Sequence, residues 1–487
     1  MVVVLVALLI VVVLHIHGGG ASSFPAAGFH VLNVRETTAS TKLRPSEVSG
    51  HRQISKVADP GDDGRRWRLK LVHRDAISVG NFSGYHRRFK ERMKRDKRRV
   101  EGLTRRLTGV GYHEMDFGSE VMSGMTEGSG EYFVRIGVGS PPRDQYMVID
   151  SGSDIVWVQC QPCSQCYHQA DPVFDPAASA SFAGVACDST VCRRLENAKC
   201  HAGRCHYEVL YGDGSYTIGT LALETLTFGS TTVTNVAIGC GHKNHGLFVG
   251  ASGLLGLGGG SMSFNGQLGG QTGGAFGYCL VSRGTMSSGA LAFGRGVVPV
   301  GAVWIPLLRN PRAPSFYYIG LAGLGVGGVT VPVPEGMFRL TELGDGGTVM
   351  DTGTAVTRFP NAAYQALRNV FIAGTVGLPR ASSVSIFDTC YDLSGFELVR
   401  VPTVSFYFSS GPVLTVPANN ILIPVDEVGT YCFAFAPSSS GLSIIGNIQQ
   451  EGIQITFDAA NGSIVSSISY SPYYTSDKNT FDLIGIL

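Results

Sequence analysis

The chain has 487 residues, more than one hydrophobic core normally organises, so the length excludes a single-core domain and predicts two lobes or more. The hydrophobic fraction is an ordinary 44%, only 15% of the residues are charged, and the formal net charge is +1. Glycine is abundant, at 65 residues, and strand-like patterns outnumber helical ones.

The chain begins with an almost unbroken apolar run, Val2 to Leu14, followed by small residues near Ala21. The run is too short to span a bilayer and has the pattern of a secretory signal peptide, which we place at residues 1–22. No Lys or Arg precedes the run, so an uncleaved anchor is the alternative.

Residues 23–126 form a basic segment. Between Arg65 and Arg106 sixteen Lys or Arg residues face four acidic ones, and the densest run comprises Arg87, Arg88, Lys90, Arg92, Lys94, Arg95, Lys97, Arg98 and Arg99. Alone, such a run could bind nucleic acid or a nuclear import receptor, or form a solvated basic helix. Downstream of a signal peptide, a removable pro-segment is the better interpretation.

The charge is divided unevenly along the chain. Residues 1–110 hold 21 basic and 9 acidic side chains, which leaves 17 basic and 28 acidic side chains in the rest. A basic segment that covers an acidic body is attracted to it at neutral pH, and the attraction weakens as carboxylates protonate. We therefore hypothesise that acid releases the pro-segment.

One pattern occurs twice, first as Val148-Ile-Asp-Ser-Gly-Ser153 and again as Thr348-Val-Met-Asp-Thr-Gly-Thr354. Each copy predicts a strand that delivers a carboxylate, Asp150 or Asp351, into a tight turn. One copy is ordinary turn chemistry, but two copies indicate a duplicated lobe.

Two nearby carboxylates share one proton, because both do not ionise easily at close range. The ionised one can take a proton from water while the other donates to a carbonyl oxygen, which is hydrolysis by general acid–base catalysis. The hydroxyls of Ser153 and Thr354 are placed to orient Asp150 and Asp351.

The two motifs resemble the catalytic loops of pepsin-like aspartic proteases. The nearby sequences resemble the plant nepenthesin-type branch over residues 128–469, on the motifs Trp157-Val-Gln-Cys-Gln-Pro-Cys-Ser-Gln-Cys166, Tyr211-Gly-Asp-Gly-Ser215, Gly239-Cys-Gly-His242, Gly253-Leu-Leu-Gly-Leu-Gly258 and Ser443-Ile-Ile-Gly-Asn447. The resemblance implies an all-β bilobal fold with the active site between homologous lobes at 127–305 and 306–487.

The resemblance also implies an endopeptidase that is made as a zymogen, works in acid and needs no cofactor or metal. Its partners would be protein or peptide substrates, with no nucleic acid and no membrane span after signal cleavage. We expect a secreted monomer, extracellular or apoplastic, with the vacuole or another endomembrane compartment as the alternative.

In the family, a tryptophan hydrogen-bonds the tyrosine of a flap that closes over the substrate. The matching residues here are Trp157 and Tyr211. Gly152 and Gly353 would permit the catalytic turns. Ser151 stands where threonine is commoner, a departure from which little effect is expected.

The chain has eleven cysteines, some with the spacing of zinc ligands, but a secretory route favours disulfides. The resemblance implies the pairs Cys160–Cys163, Cys166–Cys240, Cys187–Cys205, Cys192–Cys200 and Cys390–Cys432. Cys279 is expected to be free, since residues 471–487 lack the partner that the family has there.

Four further motifs have structural interpretations. The glycine run at 254–260 lacks the Lys of a phosphate-binding loop, and we expect Leu254-Leu-Gly256 and Ile444-Ile-Gly446 to support the two catalytic loops. His242 and His245 are interpreted as loop residues. Asn361 is a candidate helix cap, and Asn81 and Asn461 are candidate glycosylation sites.

The rival hypothesis is a protease-like binding protein or inhibitor of the plant cell wall that has lost a catalytic residue. The presence of both aspartates, both adjacent glycines and Tyr211 argues against it.

Overall fold

The computed structural model describes residues 28–41, 67–74, 84–108, 132–211, 214–246, 248, 250–281, 289–297, 303–334, 336–459 and 462–467. The predicted signal peptide, the candidate glycosylation sites Asn81 and Asn461, and the tail at 471–487 lie outside the described residues. No helix in those ranges is both long and apolar enough to cross a membrane.

The basic segment contributes four described elements. They are β1 (Phe29–Asn33), α1 (Val34–Thr41), β2 (Trp67–His73) and α2 (Tyr85–Thr108). Strand β1 pairs with a strand of the second lobe at residues 398–402, and β2 joins a sheet of the first lobe. The segment is therefore integrated into both lobes.

The first lobe is built mainly of antiparallel strands. Its elements are β3 (Tyr132–Val138), β4 (Arg143–Asp150), β5 (Trp157–Gln159), β6 (Ala183–Gly184), β7 (Lys199–His201), β8 (Arg204–Leu210), β9 (Tyr216–Phe228), β10 (Thr231–His245), β11 (Gly253–Gly256), α3 (Phe264–Leu268), β12 (Ala275–Cys279) and β13 (Gly289–Phe293). Short 3-10 turns lie at Pro176–Ala178, Cys192–Arg194, Gly269–Gln271 and Arg295–Val297. The all-β prediction is confirmed for this lobe.

The second lobe repeats this strand-rich design with three helices. Its elements are β14 (Val303–Leu308), β15 (Tyr317–Ile319), β16 (Leu321–Val326), β17 (Val329–Thr330), β18 (Thr348–Met350), β19 (Thr357–Pro360), α4 (Asn361–Gly374), β20 (Arg380–Ala381), β21 (Cys390–Asp392), β22 (Leu398–Pro402), β23 (Val404–Phe408), β24 (Val413–Val416), α5 (Ala418–Ile421), β25 (Leu422–Pro424), β26 (Thr430–Phe433), β27 (Phe435–Ser438), β28 (Ser443–Ile445), α6 (Asn447–Gln450), β29 (Gln454–Asp458) and β30 (Ser463–Ser467). The predicted cap at Asn361 is wrong, because Pro360 occupies the cap position and Asn361 is the first residue of α4.

The duplication appears in the strand pairing around the two aspartates. In the first lobe β11 runs parallel to β4 and antiparallel to β5. In the second lobe β28 runs parallel to β18 and antiparallel to β19. Each aspartate loop is therefore held between two strands and supported by a third, as expected of the 254–256 and 444–446 stretches.

Glycine is required where each supporting strand passes its loop. A Cβ on Gly256 would lie 2.2 Å from the carbonyl oxygen of Asp154, and one on Gly446 would lie 2.6 Å from that of Ala355. Both contacts are with backbone, so any side chain would force the supporting strand away from the loop.

Strands from both lobes form the sheet that joins them. Strand β12 pairs with β29, and β14 pairs with β30. The predicted lobe boundary between residues 305 and 306 thus falls inside β14. At this boundary the chain crosses between the lobes as an extended strand.

Helix α2 lies on the body through a mixed apolar and polar face. Phe89 and Met93 pack in one hydrophobic cluster of the second lobe, and Val100 and Leu103 pack in another. These residues recur three, four or seven apart, the spacing of one helix face. The alternative of a solvated basic helix is therefore wrong for this face of α2.

Candidate active site

The two aspartates occupy equivalent positions at the ends of strands. Asp150 is the last residue of β4, opposite Gly256 of β11. Asp351 follows β18, and its N–H donates to the carbonyl oxygen of Ile445 at 3.2 Å. Both side chains are almost fully buried, so the fold brings the two predicted carboxylates to one place between the lobes.

Each carboxylate is oriented by its own loop. The Oδ1 atoms accept the N–H groups of the loop glycines, and the Oδ2 atoms accept the loop hydroxyls. The donors are Gly152 at 2.9 Å and Ser153 at 2.8 Å for Asp150, and Gly353 at 3.0 Å and Thr354 at 2.5 Å for Asp351. The hydroxyl contacts are those that an orienting role of Ser153 and Thr354 requires, and the glycines, predicted only to permit the turns, add backbone donors.

The residues after the aspartates join the lobes. The N–H of Ser151 donates to Oγ1 of Thr352 at 3.1 Å, and the N–H of Thr352 donates to Oγ of Ser151 at 3.0 Å. All four atoms are buried, so each hydroxyl satisfies a backbone donor from the other lobe. Sequence analysis noted Ser151 only as a departure from the family pattern and missed this reciprocal contact.

A guanidinium group lies between the two carboxylates. Nη2 of Arg99 is 2.6 Å from Oδ1 of Asp150 and 2.9 Å from Oδ1 of Asp351. Nη1 donates to Oδ2 of Asp150 at 3.3 Å, and Nε donates to Oδ2 of Asp351 at 2.9 Å. Nη2 of Arg99 therefore lies within hydrogen-bond distance of Oδ1 of both aspartates and bridges them.

This contact sets the charge state of the site. Burial acts to raise the pKa of Asp150, but the charge of Arg99 and the hydrogen bonds from Arg99, Gly152 and Ser153 outweigh it and lower the pKa below its ordinary value. Burial acts to lower the pKa of Arg99, but the two carboxylates raise it overall. With α2 in place the site is an ion cluster.

The loop glycines leave room for the guanidinium. A Cβ on Gly353 would lie 2.3 Å from Cζ of Arg99, and one on Gly152 would lie 2.8 Å from Nη2. Their lack of side chains opens the space directly in front of the carboxylates. That space holds Arg99 here and is where a reacting group would have to sit.

Three more charged residues of α2 are buried, Arg92, Arg95 and Asp96. Nη2 of Arg92 donates to Oδ1 of Asn447 at 2.9 Å and lies 4.0 Å from Oε1 of Glu451. Asp96 forms a buried ion pair with Arg358 of β19 at 2.5 Å. In the sequence, Arg92 is one cation of the basic run and Asp96 is one of the four acidic residues near it, and neither stands out.

The hydrogen bond expected between Trp157 and Tyr211 is present. Nε1 of Trp157 donates to the hydroxyl of Tyr211 at 2.8 Å, and the Phe248 ring packs edge-on against both aromatic rings with centroids 5.2 Å apart. Tyr211 lies between β8 and β9, whose pairing forms a hairpin.

Comparisons with known proteins agree with this geometry. One family profile, described as xylanase inhibitor N-terminal, matches residues 132–295, and a second, described as xylanase inhibitor C-terminal, matches residues 316–465. The curated protein "ASPARTIC PROTEASE IN GUARD CELL 2" of Arabidopsis thaliana is 69% identical over 404 residues, which cover 82% of this chain and 86% of the relative. This chain belongs to the plant aspartic protease family.

Other relatives have protease names as well. Aspartic proteinase nepenthesin-2 of Nepenthes gracilis is 38% identical over 396 residues, covering 80% of this chain and 87% of nepenthesin-2. The profiles carry the word inhibitor, but these more specific similarities favour an aspartic protease over the inhibitor alternative.

Solved structures confirm the fold of this aspartic protease. The crystal structure of edgp matches with a TM-score of 0.58 at 20% identity, over 69% of this chain and 91% of that one. Conglutin gamma from lupine seeds matches with a TM-score of 0.55 at 21% identity, over the same shares. At such identities the likeness establishes the pepsin-like architecture alone.

The disulfides of this aspartic protease correct four of the five implied pairs. The structure joins Cys160–Cys240, Cys163–Cys166, Cys187–Cys200, Cys192–Cys205 and Cys390–Cys432. The first correction follows from sheet geometry, because β5 and β10 are parallel neighbours and bring Cys160 and Cys240 to a Cα separation of 5.2 Å.

The disulfides Cys187–Cys200 and Cys192–Cys205 depend on the hairpin formed by β7 and β8. Cys200 and Cys205 face each other across β7 and β8, so each is within reach of one of the two earlier cysteines. Cys192 and Cys205 are both buried in one small cluster, which leaves Cys187 for Cys200. Cys279 has no disulfide, as expected, and burial raises the pKa of its thiol.

Among the described residues no group of three or more His, Cys, Asp or Glu side chains is placed to hold a metal ion. Nδ1 of His242 lies 3.0 Å from the carbonyl oxygen of Pro162, and His245 stacks on Tyr216. The two histidines contact different partners, and both lie in β10, so their interpretation as loop residues is wrong.

Proposed function

We propose that this aspartic protease hydrolyses internal peptide bonds in acid, using Asp150 and Asp351 to activate a water molecule. The observation that carries the proposal is the bridging of both Oδ1 atoms by one nitrogen of Arg99. It shows a position within hydrogen-bond distance of two buried carboxylates, which is what a shared water requires.

The chemistry follows from one proton shared by the pair. The ionised carboxylate takes a proton from the water as its oxygen attacks the peptide carbonyl carbon, and the protonated carboxyl group donates to the carbonyl oxygen. Collapse of the tetrahedral intermediate then expels the amine, which leaves with a proton from the pair. The proton belongs to the pair rather than to either residue.

We also propose that the chain is made as an inactive zymogen with residues 23–126 as its pro-segment. Arg99 fills the space in front of both carboxylates and pairs with them, so neither water nor substrate has access. Activity requires α2 to leave, after which the aspartates are free to share a proton.

Tyr211 and Trp157 complete the proposed site as flap residues. The hydrogen bond from the buried Trp157 indole fixes the Tyr211 hydroxyl at the base of the hairpin. A hairpin held there would close over an extended protein or peptide substrate. No cofactor is required by this mechanism.

The cellular assignment is also a proposal. A signal peptide at 1–22 would direct the protein to the secretory pathway, with the extracellular space or apoplast as the first destination and the vacuole or another endomembrane compartment as the alternative. The protein would act as a monomer, since both aspartates come from one chain.

The test is cleavage of a denatured protein substrate by matured protein from pH 3 to pH 7, with and without pepstatin. Acid activity that pepstatin blocks and that Asp150→Asn and Asp351→Asn both abolish would support the proposal. Asp345→Asn, which changes an exposed ion pair of the second lobe, is the matched control and should keep full activity. If folded, matured wild type shows no cleavage at any pH, the proposal is wrong.

A further inference from the structure

Asp96 is an acidic residue of α2 whose carboxylate is buried against the second lobe. It is 4% exposed. Its Oδ1 atom accepts the N–H of Ala355 at 2.6 Å and that of Val356 at 3.0 Å, and its Oδ2 atom accepts Nη2 of Arg358 at 2.5 Å. The carboxylate thus sits in a niche of three donors, which we call the Arg358 niche.

The Arg358 niche is built by the second lobe, not by α2. Ala355 and Val356 follow the Asp351 loop, and Arg358 lies on β19, paired with β27 and β28. Arg358 is 6% exposed, Nη1 lies 3.4 Å from the carbonyl oxygen of Pro437, and Nε is buried without a hydrogen-bond partner. The second lobe thus gives the guanidinium one long hydrogen bond, and its shortest contact is with Asp96.

Removal of α2 would leave this niche without its anion. Two backbone N–H groups and a guanidinium nitrogen would lose their acceptor together. Because α2 itself covers Arg358, its removal also opens the guanidinium and the two N–H groups to the cleft, where another carboxylate can accept their hydrogen bonds. The emptied niche therefore favours a new carboxylate in the geometry that Asp96 occupies.

The position of the niche puts it within reach of a bound substrate. Asp96 precedes Arg99 by three residues, so the two lie about 4.5 Å apart along the helix axis. An extended peptide advances about 3.3 Å per residue, so the niche faces a substrate residue within about three positions of the bond held at the aspartates. Ala355 is also only four residues beyond Asp351 in the chain.

We propose that the Arg358 niche is a specificity subsite that binds a Glu or Asp side chain of the peptide substrate after α2 has left. Asp96 is then the internal mimic of that substrate residue, just as Arg99 occupies the place of the reacting groups. The proposal rests on the proposed function, because it requires a cleft that is vacated and then binds peptides.

The experiment compares matched peptides with matured enzyme at pH 5, where a free Glu side chain is mostly ionised. A neutral host peptide carries Gln at each position from four before to four after the cleaved bond, and single Gln→Glu changes are scanned through these positions. At one position Glu should raise kcat/KM about tenfold or more over Gln, the size expected for one charged hydrogen bond.

The variants test which side chain is responsible. In Arg358→Gln the Glu-to-Gln ratio at that position should fall to near one, and in Arg358→Lys it should be partly retained. Arg368→Gln is the matched control, because Arg368 forms an ion pair with Asp388 elsewhere on the same lobe and its loss should leave the ratio unchanged.

A second measurement needs only the wild type, should Arg358→Gln fail to fold. The preference should fall severalfold between pH 5 and pH 3, because the free substrate carboxyl group protonates near pH 4.3. A preference that persists undiminished at pH 3 would overturn the proposal.

The two proposals fail in different ways. If wild type cleaves the Gln peptide but prefers Glu at no position, the acidic subsite is wrong and the protease activity stands. If it cleaves the denatured protein substrate but no peptide of the series, the acidic subsite is again wrong and the protease activity stands. If it cleaves neither the denatured protein nor any peptide, both proposals are refuted.

Discussion

At the scale of single residues, the aspartates could be predicted and Arg99 could not. Asp150 and Asp351 stand in a repeated local motif whose strand and turn chemistry is visible in the sequence. Arg99 is one of many cations in a run, and its role depends on the rotation of α2 about its axis. The spacing of Phe89, Met93 and Val100 marks the buried face and would have placed Arg99 at its edge.

Arg99→Gln should activate the precursor without cleavage. The substitution removes the charge that pairs with both carboxylates and leaves part of the side chain in the cleft. We expect a precursor whose cleavage of a small fluorogenic peptide at pH 5 rises at least tenfold over wild type, because one turn of α2 is no longer held by charged hydrogen bonds.

Lys97→Gln is the control for that experiment. It removes one positive charge from the exposed face of the same helix, where Lys97 lies 4.0 Å from Glu101. The control precursor should stay as inactive as wild type. Equal activation of both variants would show that overall helix charge, not the contact with the aspartates, keeps the precursor inactive.

Thr352→Val should destabilise the protein through the contact between the lobes. Valine preserves the shape but removes the hydroxyl that accepts the N–H of Ser151, and an unsatisfied buried donor costs about 1–3 kcal/mol. Urea denaturation of the precursor should show a lower unfolding midpoint. Thr352→Ser keeps the hydroxyl and should keep most of the stability that Thr352→Val loses. A serine variant as unstable as the valine variant would contradict this explanation.

At the scale of elements, the strands were easier to predict than the disulfide pairs that join them. The two aspartate motifs predicted β4 and β18 as the strands that deliver Asp150 and Asp351. The disulfide partners depended on which strands became neighbours, such as β5 with β10, and on the Cys200–Cys205 register of one hairpin. Cysteine spacing carries no information about either, so a family pattern applied by order alone failed for four pairs.

Tyr211→Phe should impair the flap while leaving the body intact. It removes the hydroxyl that accepts the Trp157 indole N–H at 2.8 Å, so the hairpin base loses a fixed contact. We expect kcat/KM of the matured enzyme to fall about tenfold, the effect of one lost hydrogen bond near the substrate.

Tyr216→Phe is the matched control for the flap. Its hydroxyl contacts Gln165 at 3.2 Å in an exposed part of the same hairpin, so its loss should change kcat/KM less than twofold. If the two variants lose activity equally, the Trp157–Tyr211 contact has no special role in the flap.

At the scale of the whole molecule, two explanations of acid release differ in their response to salt. Attraction between a basic segment and an acidic body is long-range and is screened by salt. The contacts of α2 with the aspartates and with Arg358 are short and buried, so salt weakens them little. The uneven charge was visible in the sequence, but these contacts required the three-dimensional arrangement.

The precursor should therefore mature in acid with little dependence on salt. Arg99 lowers the pKa of Asp150 below its ordinary 3.8, so this contact stabilises the precursor above that value and is lost as pH falls through the lowered pKa. The rate of maturation should rise at least tenfold between pH 7 and pH 3. At each pH, the rates in about 0.05 M and about 0.5 M salt should agree within about twofold. Rates that are equal at pH 7 and pH 3 would contradict acid release, whereas a strong acceleration by salt at pH 7 would show that long-range attraction, rather than the buried ion cluster, holds α2 in the cleft.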